Sequence, residues 1–329
     1  MKFPSNTVIK LAAYAAALVV LFSAAFSLGR VVTPVAAEAD GPHGSAAEDE
    51  HGVDENSMDE HGMDEHGMDE AGMDEAGMDE HGMGGTTDSG AAAIPGLAVS
   101  EAGYTLVPQT TSLAAGSAVP FSFTVSDPDE APLTSYVPTH EKDLHLIVVR
   151  RDMAGFQHVH PTLADDGTWS VALDLAAAGT YRVFADFAPA GLDRTLTLGV
   201  DITVAGDFTP VPLPAPDATS NLDGYVVSLD LNAAPGTESE LTFTVSRGGQ
   251  EVTDLEPYLG AFGHLVSLRV GDLAYLHTHP IESAEAGSQG GPAVEFGTEF
   301  PTAGTYRLFL DFQHDGAVHT AEFTVTIND

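Results

Sequence analysis

Apolar and polar residues alternate along most of the chain after residue 94, in short runs separated by Gly, Asp, Asn and Pro. Successive side chains of a β-strand point to opposite faces, so such runs predict strands with one buried face. In the first half the runs are YTLVPQ, AVPFSFTV, DLHLIVVR, GFQHVH, TWSVALDL, GTYRVFADF and TLTLGVDITV. Helical periodicity does not occur here, and the pattern predicts an all-β, antiparallel sandwich.

The same pattern is present twice. SFTVSD at 122–127 returns as TFTVSR at 242–247, and AGTYRVFADF at 178–187 returns as AGTYRLFLDF at 303–312. Repeats of this length predict a duplicated domain.

The AGTYR segments resemble the tyrosine corner of immunoglobulin-like sandwiches, with Tyr181 and Tyr306 at the start of a strand. We therefore expect two tandem immunoglobulin-like domains, at residues 96–206 and 224–329. The proline-rich segment 207–223 between them predicts a stiff, extended linker.

The N-terminus predicts a targeting segment over residues 1–30. Lys2 and Lys10 precede an uncharged apolar run from Leu11 to Leu28. This run is near the length that crosses a bilayer, which favours a transmembrane helix. Small residues before Glu38 leave a cleaved signal peptide as the alternative. Both interpretations place the remaining chain on the extracytoplasmic face of the plasma membrane, or in the medium if the segment is cleaved.

Residues 31–95 form an acidic segment of low complexity, for which we expect disorder. A unit M-D-E-H/A-G places methionine every five residues at Met58, Met63, Met68, Met73, Met78 and Met83. Thioethers suit Cu(I), and imidazoles and carboxylates suit Cu(II), so the repeat can be read as a chelating tail. A solvated stalk and a sink for oxidants are the alternatives.

Each half also carries the pattern H-x12-H-x-H-P. Its histidines are His145, His158 and His160 in the first half and His264, His277 and His279 in the second. A two-residue turn at Gly271-Asp272 would place Val266 opposite His277 and His264 opposite His279. A four-residue loop, 151–154, has the same effect in the first half. Each hairpin is thus expected to gather three imidazoles at one end of one face.

Three converging imidazoles favour a metal site, because imidazole suits Cu(II), Zn(II) and Ni(II) and the chain has no cysteine to compete. We predict copper, with zinc as the alternative. Further ligand candidates are His140, Glu141, His314 and His319, and Asp186 and Asp311 are candidate hydrogen-bond partners for a ligand histidine. The competing interpretation is that buried histidines only bond to backbone carbonyls.

The HxHP hairpins and the GTYR strands resemble uncharacterised actinobacterial secreted or membrane-anchored proteins over residues 96–329. More distantly the chain is similar to the immunoglobulin-like copper-resistance and YtkA-type extracytoplasmic domains, a resemblance that implies copper handling.

A net charge of -38 with only 11 Lys and Arg argues against nucleic acid as a partner, so we expect none. The sequence has no Ser-His-Asp signature and no phosphate loop, so we expect no enzyme. We predict a membrane-tethered metal-binding protein of unknown protein partner, with a structural or protein-interaction module as the alternative.

Overall fold

The computed structural model describes residues 94–329 except His277. The predicted targeting segment and nearly all of the acidic repeat segment therefore lie outside the described residues. Within the part described, no helix has the length and apolarity to cross a membrane. All of its regular elements are β-strands, numbered here β1 to β21 in chain order.

The first sandwich consists of two sheets. Its outer sheet has the order β1 (Ser100–Glu101), β2 (Tyr104–Pro108), β4 (Gly116–Ser126), β9 (Trp169–Leu175) and β8 (Thr162–Leu163). Its inner sheet has the order β3 (Ser112–Ala114), β11 (Leu196–Ala205), β10 (Gly179–Pro189), β6 (Leu144–Arg150) and β7 (Gln157–Val159), and β5 (Tyr136–Val137) extends the end of β10. All pairs are antiparallel except β3 with β11.

The second sandwich repeats this arrangement. Its outer sheet has the order β12 (Thr219–Leu222), β13 (Tyr225–Leu231), β14 (Glu238–Arg247), β19 (Ala293–Glu299) and β18 (Thr278–Pro280), with β15 (Gln250–Glu251) beside β14. Its inner sheet has the order β17 (Tyr275–Leu276), β16 (His264–Arg269), β20 (Gly304–His314) and β21 (Ala317–Ile327). The expected tandem of all-β, immunoglobulin-like sandwiches is confirmed.

Each sandwich closes on its own apolar core. Phe123 and Trp169 are buried in the first, and Phe243 and Phe312 in the second. The expected tyrosine corners are present: the hydroxyl of Tyr181 donates to Ala177 O at 2.8 Å, and that of Tyr306 donates to Thr302 O at 2.7 Å.

The register expected for the first histidine hairpin is confirmed, since Ile147 pairs with His158. In the second hairpin the expected register is confirmed only near the turn, where Leu268 pairs with Tyr275. The two-residue turn expected at Gly271-Asp272 is wrong. The loop has four residues, 270–273, closed by a hydrogen bond from Arg269 N to Ala274 O at 2.9 Å. The wider loop is stabilised by the Asp272 carboxylate, which accepts from the Arg269 guanidinium at 3.0 Å and from Ala274 N at 3.1 Å.

The inner sheets of the two sandwiches pack face to face. Their shared apolar layer contains Ile147, Val149, Met153, Phe184, Val266, Leu268, Leu273, Tyr275 and Phe309. Phe156 of the first sandwich stacks on Phe309 of the second, with ring centroids 3.9 Å apart and planes at 3°. The apolar run LIVV within β6 is the sequence signal for this layer, because a strand with only one buried face alternates, whereas β6 is buried along its whole length.

The chain segment before β1 runs along this junction and contacts both sandwiches. The amide of Gly96 donates to Thr197 O at 2.8 Å in the first, and the amide of Tyr275 in the second donates to Pro95 O at 3.0 Å. Arg182, which is buried, donates to Gly96 O at 2.6 Å. These bonds fasten the start of the described chain at the junction of the sandwiches.

Candidate metal site between the sandwiches

Three histidines of the first sandwich converge at the edge of the apolar layer. Alternation along β6 turns His145 to the same face as Ile147, away from the core of its own sandwich. The hairpin register brings His158 and His160 to that face. Nδ1 of His145 lies 3.1 Å from Nε2 of His158 and 3.2 Å from Nε2 of His160. One nitrogen from each ring thus lies within 4.8 Å of the other two. We call these residues the histidine trio.

The remaining nitrogens of two of these rings have partners that fix their protons. Nε2 of His145 lies 2.9 Å from the carbonyl of Thr139, which can only accept, so this nitrogen carries hydrogen. Nδ1 of His158 lies 2.8 Å from a carboxylate oxygen of Asp311, so this nitrogen carries hydrogen as well. In the neutral rings His145 Nδ1 and His158 Nε2 therefore present bare lone pairs.

These two lone pairs point at each other across 3.1 Å, an unfavourable contact unless a cation lies between them. One extra proton would turn it into a hydrogen bond, and a metal ion would satisfy all three rings together. Nitrogens at two corners of a tetrahedron around a metal with bonds of about 2.0–2.1 Å are about 3.3–3.4 Å apart. The distances from His145 Nδ1 to the other two rings, 3.1 and 3.2 Å, are within a few tenths of an ångström of that spacing.

Burial disfavours protonation of two imidazoles of the trio. It lowers the pKa of His145 from 6.5 to about 4, and the Thr139 carbonyl only partly offsets this effect. Burial, with the nearby His158 and His145, lowers the pKa of His160 to about 3. The lowered pKa values keep His145 and His160 neutral at pH 7, and the neutral imidazole is the form that binds metal ions.

Two further imidazoles complete the surroundings. His264 of the second sandwich stacks on His145, with centroids 5.1 Å apart and planes at 13°, and lies 4.9 Å from His158. Burial lowers its pKa well below 6.5. The ring centroid of His140 lies 5.0 Å from that of His264. His140 belongs to a tight turn in which it and Glu141 both have a left-handed φ, 48° and 64°. One of these two imidazoles, that of His264, comes from the second sandwich, and that of His140 comes from the first.

The second expected trio is not assembled. His264 joins the histidines of the first sandwich, and His277 lies outside the described residues. His279 belongs to β18 and pairs with Gly297 of β19 in the outer sheet, where it is exposed. The strand that follows β17 changes sheets, which the alternation pattern does not reveal. The expectation that His264 and His279 oppose each other is therefore wrong.

The extra ligand candidates differ in position. His140 and Glu141 lie in the turn beside the trio. His314 accepts from or donates to Tyr225 at 2.6 Å and pairs with Asp254 at 3.1 Å, and His319 lies 3.4 Å from Asp223. The structure does not bring these two histidines to the trio.

Asp311 is a partner of a ligand candidate, but the histidine belongs to the other sandwich. Its second oxygen accepts from the hydroxyl of Thr320 at 2.6 Å. Asp186 and Asp311 occupy the same position in the two repeats. The repeat identifies both aspartates as candidates, but it does not show which histidine each of them contacts. The inter-sandwich contact decides that.

Comparison with known proteins identifies the repeat. The sequence profile described as domain of unknown function DUF8832 matches residues 98–204 and again residues 219–329. No curated protein matches the chain.

Solved structures to which parts of the chain are similar include the Escherichia coli adhesin FdeC, at 14% identity over 70% of this chain and 66% of that one, with a TM-score of 0.24. Another is Yersinia pseudotuberculosis InvD, at 15% identity over 70% of this chain and 58% of that one, with a TM-score of 0.23. The chain spans less than two thirds of InvD and about two thirds of FdeC.

Proposed function

We propose that this chain, which belongs to the family described as domain of unknown function DUF8832, binds a transition-metal ion through His145, His158 and His160. One observation carries the proposal. Two rings whose outer nitrogens are held by Thr139 and Asp311 turn bare lone pairs towards each other at 3.1 Å. A bound cation removes this conflict, and water or a further side chain completes its coordination.

The ion that we propose is copper, with zinc as the alternative. Imidazole donors without thiolate suit both ions, and Cu(II) stands above Zn(II) in the general order of affinities. The resemblance of the sequence to copper-resistance domains is a second reason for proposing copper. The role that we propose is binding and homeostasis of the ion, with no catalysis.

We further propose that the protein acts outside the cytoplasm, held at the plasma membrane by its apolar N-terminal run. The methionine and histidine repeat would collect ions close to the sandwiches. Support for this step comes from the sequence, where the repeat lies directly between the apolar run and the first sandwich.

Calorimetric titration with Cu(II) and Zn(II), combined with metal analysis, tests the site. The tail must be silenced first, so the titrations use a full chain in which His43, His51, His61, His66 and His81 are changed to alanine. We call it the tail-silent chain. It should bind one ion, and His145→Ala should weaken binding by at least 100-fold. Equal binding by the His145→Ala variant would refute the proposal.

The tail needs its own experiment, because its ligands are separate from the trio. A peptide of residues 50–85 is titrated with Cu(I) and Cu(II), beside a peptide in which every methionine is replaced by leucine. Binding of Cu(I) that depends on methionine supports collection of ions. A peptide that ignores both ions would be only a stalk.

A second candidate function is a structural or protein-interaction module, and the apolar layer between the sandwiches favours it. The stack of Phe156 on Phe309 needs no metal to form. Under this alternative, chelators leave the unfolding temperature of the tail-silent chain unchanged. Under the metal-binding proposal, loaded protein unfolds at a higher temperature than chelated protein.

A further inference from the structure

The hydrogen bonds that orient the trio come from both sandwiches. Thr139 of the first holds His145, and Asp311 of the second holds His158. The pair of His158 and Asp311 is closed to solvent, with side-chain exposures of 1% and 4%. Thr320 holds the other carboxylate oxygen. Both side chains of this contact are therefore shielded from solvent, and the contact forms only when the sandwiches are packed together.

A carboxylate that accepts from the outer N–H of a ligand histidine fixes the tautomer of the ring and makes it a stronger donor to the metal. Asp311 occupies that place for His158. We propose that Asp311 is a positioning residue of the metal site, so that an ion bound by the first sandwich also fastens the second sandwich against it. This inference rests on the proposed metal binding and names a partner within the same chain.

The coupling follows from the geometry. Separating the sandwiches would leave His158 without the acceptor that fixes its tautomer and would remove His264 and Phe309 from the edge of the site. Metal affinity should therefore be higher in the packed arrangement than in the separated one. By linkage, the bound metal must favour the packed arrangement by the same factor.

The affinity of Asp311 variants for Zn(II) tests the positioning role in the tail-silent chain. Asp311→Ala removes the acceptor and should weaken binding by about 10- to 100-fold. Asp311→Asn retains one acceptor oxygen and should fall between this variant and the parent. Nitrogen NMR of the His158 ring gives a second readout: proton occupancy of Nδ1 is expected in the parent and reduced in Asp311→Ala.

Docking is measured by the distance between spin labels. The chain has no cysteine, so Ala172→Cys and Glu240→Cys provide two label sites on exposed positions of the two outer sheets. Diamagnetic Zn(II) should narrow the distance distribution in the parent and leave it unchanged in Asp311→Ala.

The outcomes separate this inference from the proposed function. No Zn(II) or Cu(II) binding by the tail-silent chain overturns the metal site itself. Binding in which Asp311→Ala matches the parent within two-fold, with an unchanged His158 tautomer, overturns only the role of Asp311. If Asp311→Ala does not fold by circular dichroism, Asp311→Asn decides, and an affinity equal to that of the parent then overturns the inference.

Discussion

His145 and His264 occupy the same position of the two repeats and stack on each other across the junction, with ring centroids 5.1 Å apart. Phe184 and Phe309 are also equivalent, and each packs against an aromatic ring of the other sandwich, Tyr275 and Phe156 respectively. The duplicated domains therefore meet through like surfaces, as the two subunits of a symmetric dimer do. The histidines of this surface are brought together by the duplication.

The equivalent residues His160 and His279 should differ in their effect on metal binding. His160 lies in the trio, and His279 lies exposed in the outer sheet of the second sandwich. In the tail-silent chain, His160→Ala should weaken Zn(II) or Cu(II) binding by about 100-fold or more, since one of three protein ligands is lost. His279→Ala is the matched control and should bind within two-fold of the parent. Similar losses in both variants would contradict the assignment of the site.

The metal-free protein should lose stability on mild acidification. The folded-state pKa values of His145 and His160, about 4 and about 3, lie below the ordinary 6.5, so the unfolded chain binds more protons between these values. The stability that these two groups contribute to the folded state is fully present above pH 6.5. It is lost as the pH falls towards 4, and for His145 alone the free energy of unfolding decreases by about 3 kcal/mol. The groups that face His145 are the ammonium group of Lys142 and the imidazole rings of His140, His158, His160 and His264.

Urea unfolding in the presence of a chelator, at several pH values between 7 and 4.5, measures this effect. Carboxylates also titrate near the lower end, so the comparison is with His145→Gln, whose stability should depend less steeply on pH between 6.5 and 5. Parallel curves for the two proteins would contradict the prediction.

Gly96 should tolerate a side chain less well than Gly236, a glycine with a similar φ. The φ of Gly96 is +76°, and an added Cβ would lie 2.7 Å from the ring of Phe184. Gly236 has a φ of +66° with no atom within 4 Å of such a Cβ. Gly236→Ala should cost about 1 kcal/mol from backbone strain alone. Gly96→Ala should cost clearly more, as measured by urea unfolding, and equal losses would argue against the tight junction.

Phe309 should be a major source of stability at the junction. It is fully buried and stacks on Phe156. Phe309→Ala should reduce the free energy of unfolding by about 3–5 kcal/mol, from lost burial and the cavity left behind. Val318→Ala is the control, because Val318 is 45% exposed, and its effect should stay within about 0.5 kcal/mol. A small loss for Phe309→Ala would indicate a junction that opens readily.

The sequence by itself determined the strands, the duplication, the tyrosine corners and the register of the first histidine hairpin. Each of these follows from local alternation or from a repeated motif. Alternation also determined that His145, His158 and His160 share one face, because residues at even spacing on paired strands must do so. The position of the repeated aspartates was visible as well.

Only the tertiary structure decided which histidines meet. Local alternation is the same whichever sheet a strand joins, so it could not reveal that His279 continues into the outer sheet. It also could not reveal that the face bearing His145 is covered by a second sandwich, which supplies Asp311 and His264. Such contacts depend on the packing of two whole surfaces, and no short stretch of sequence encodes that packing.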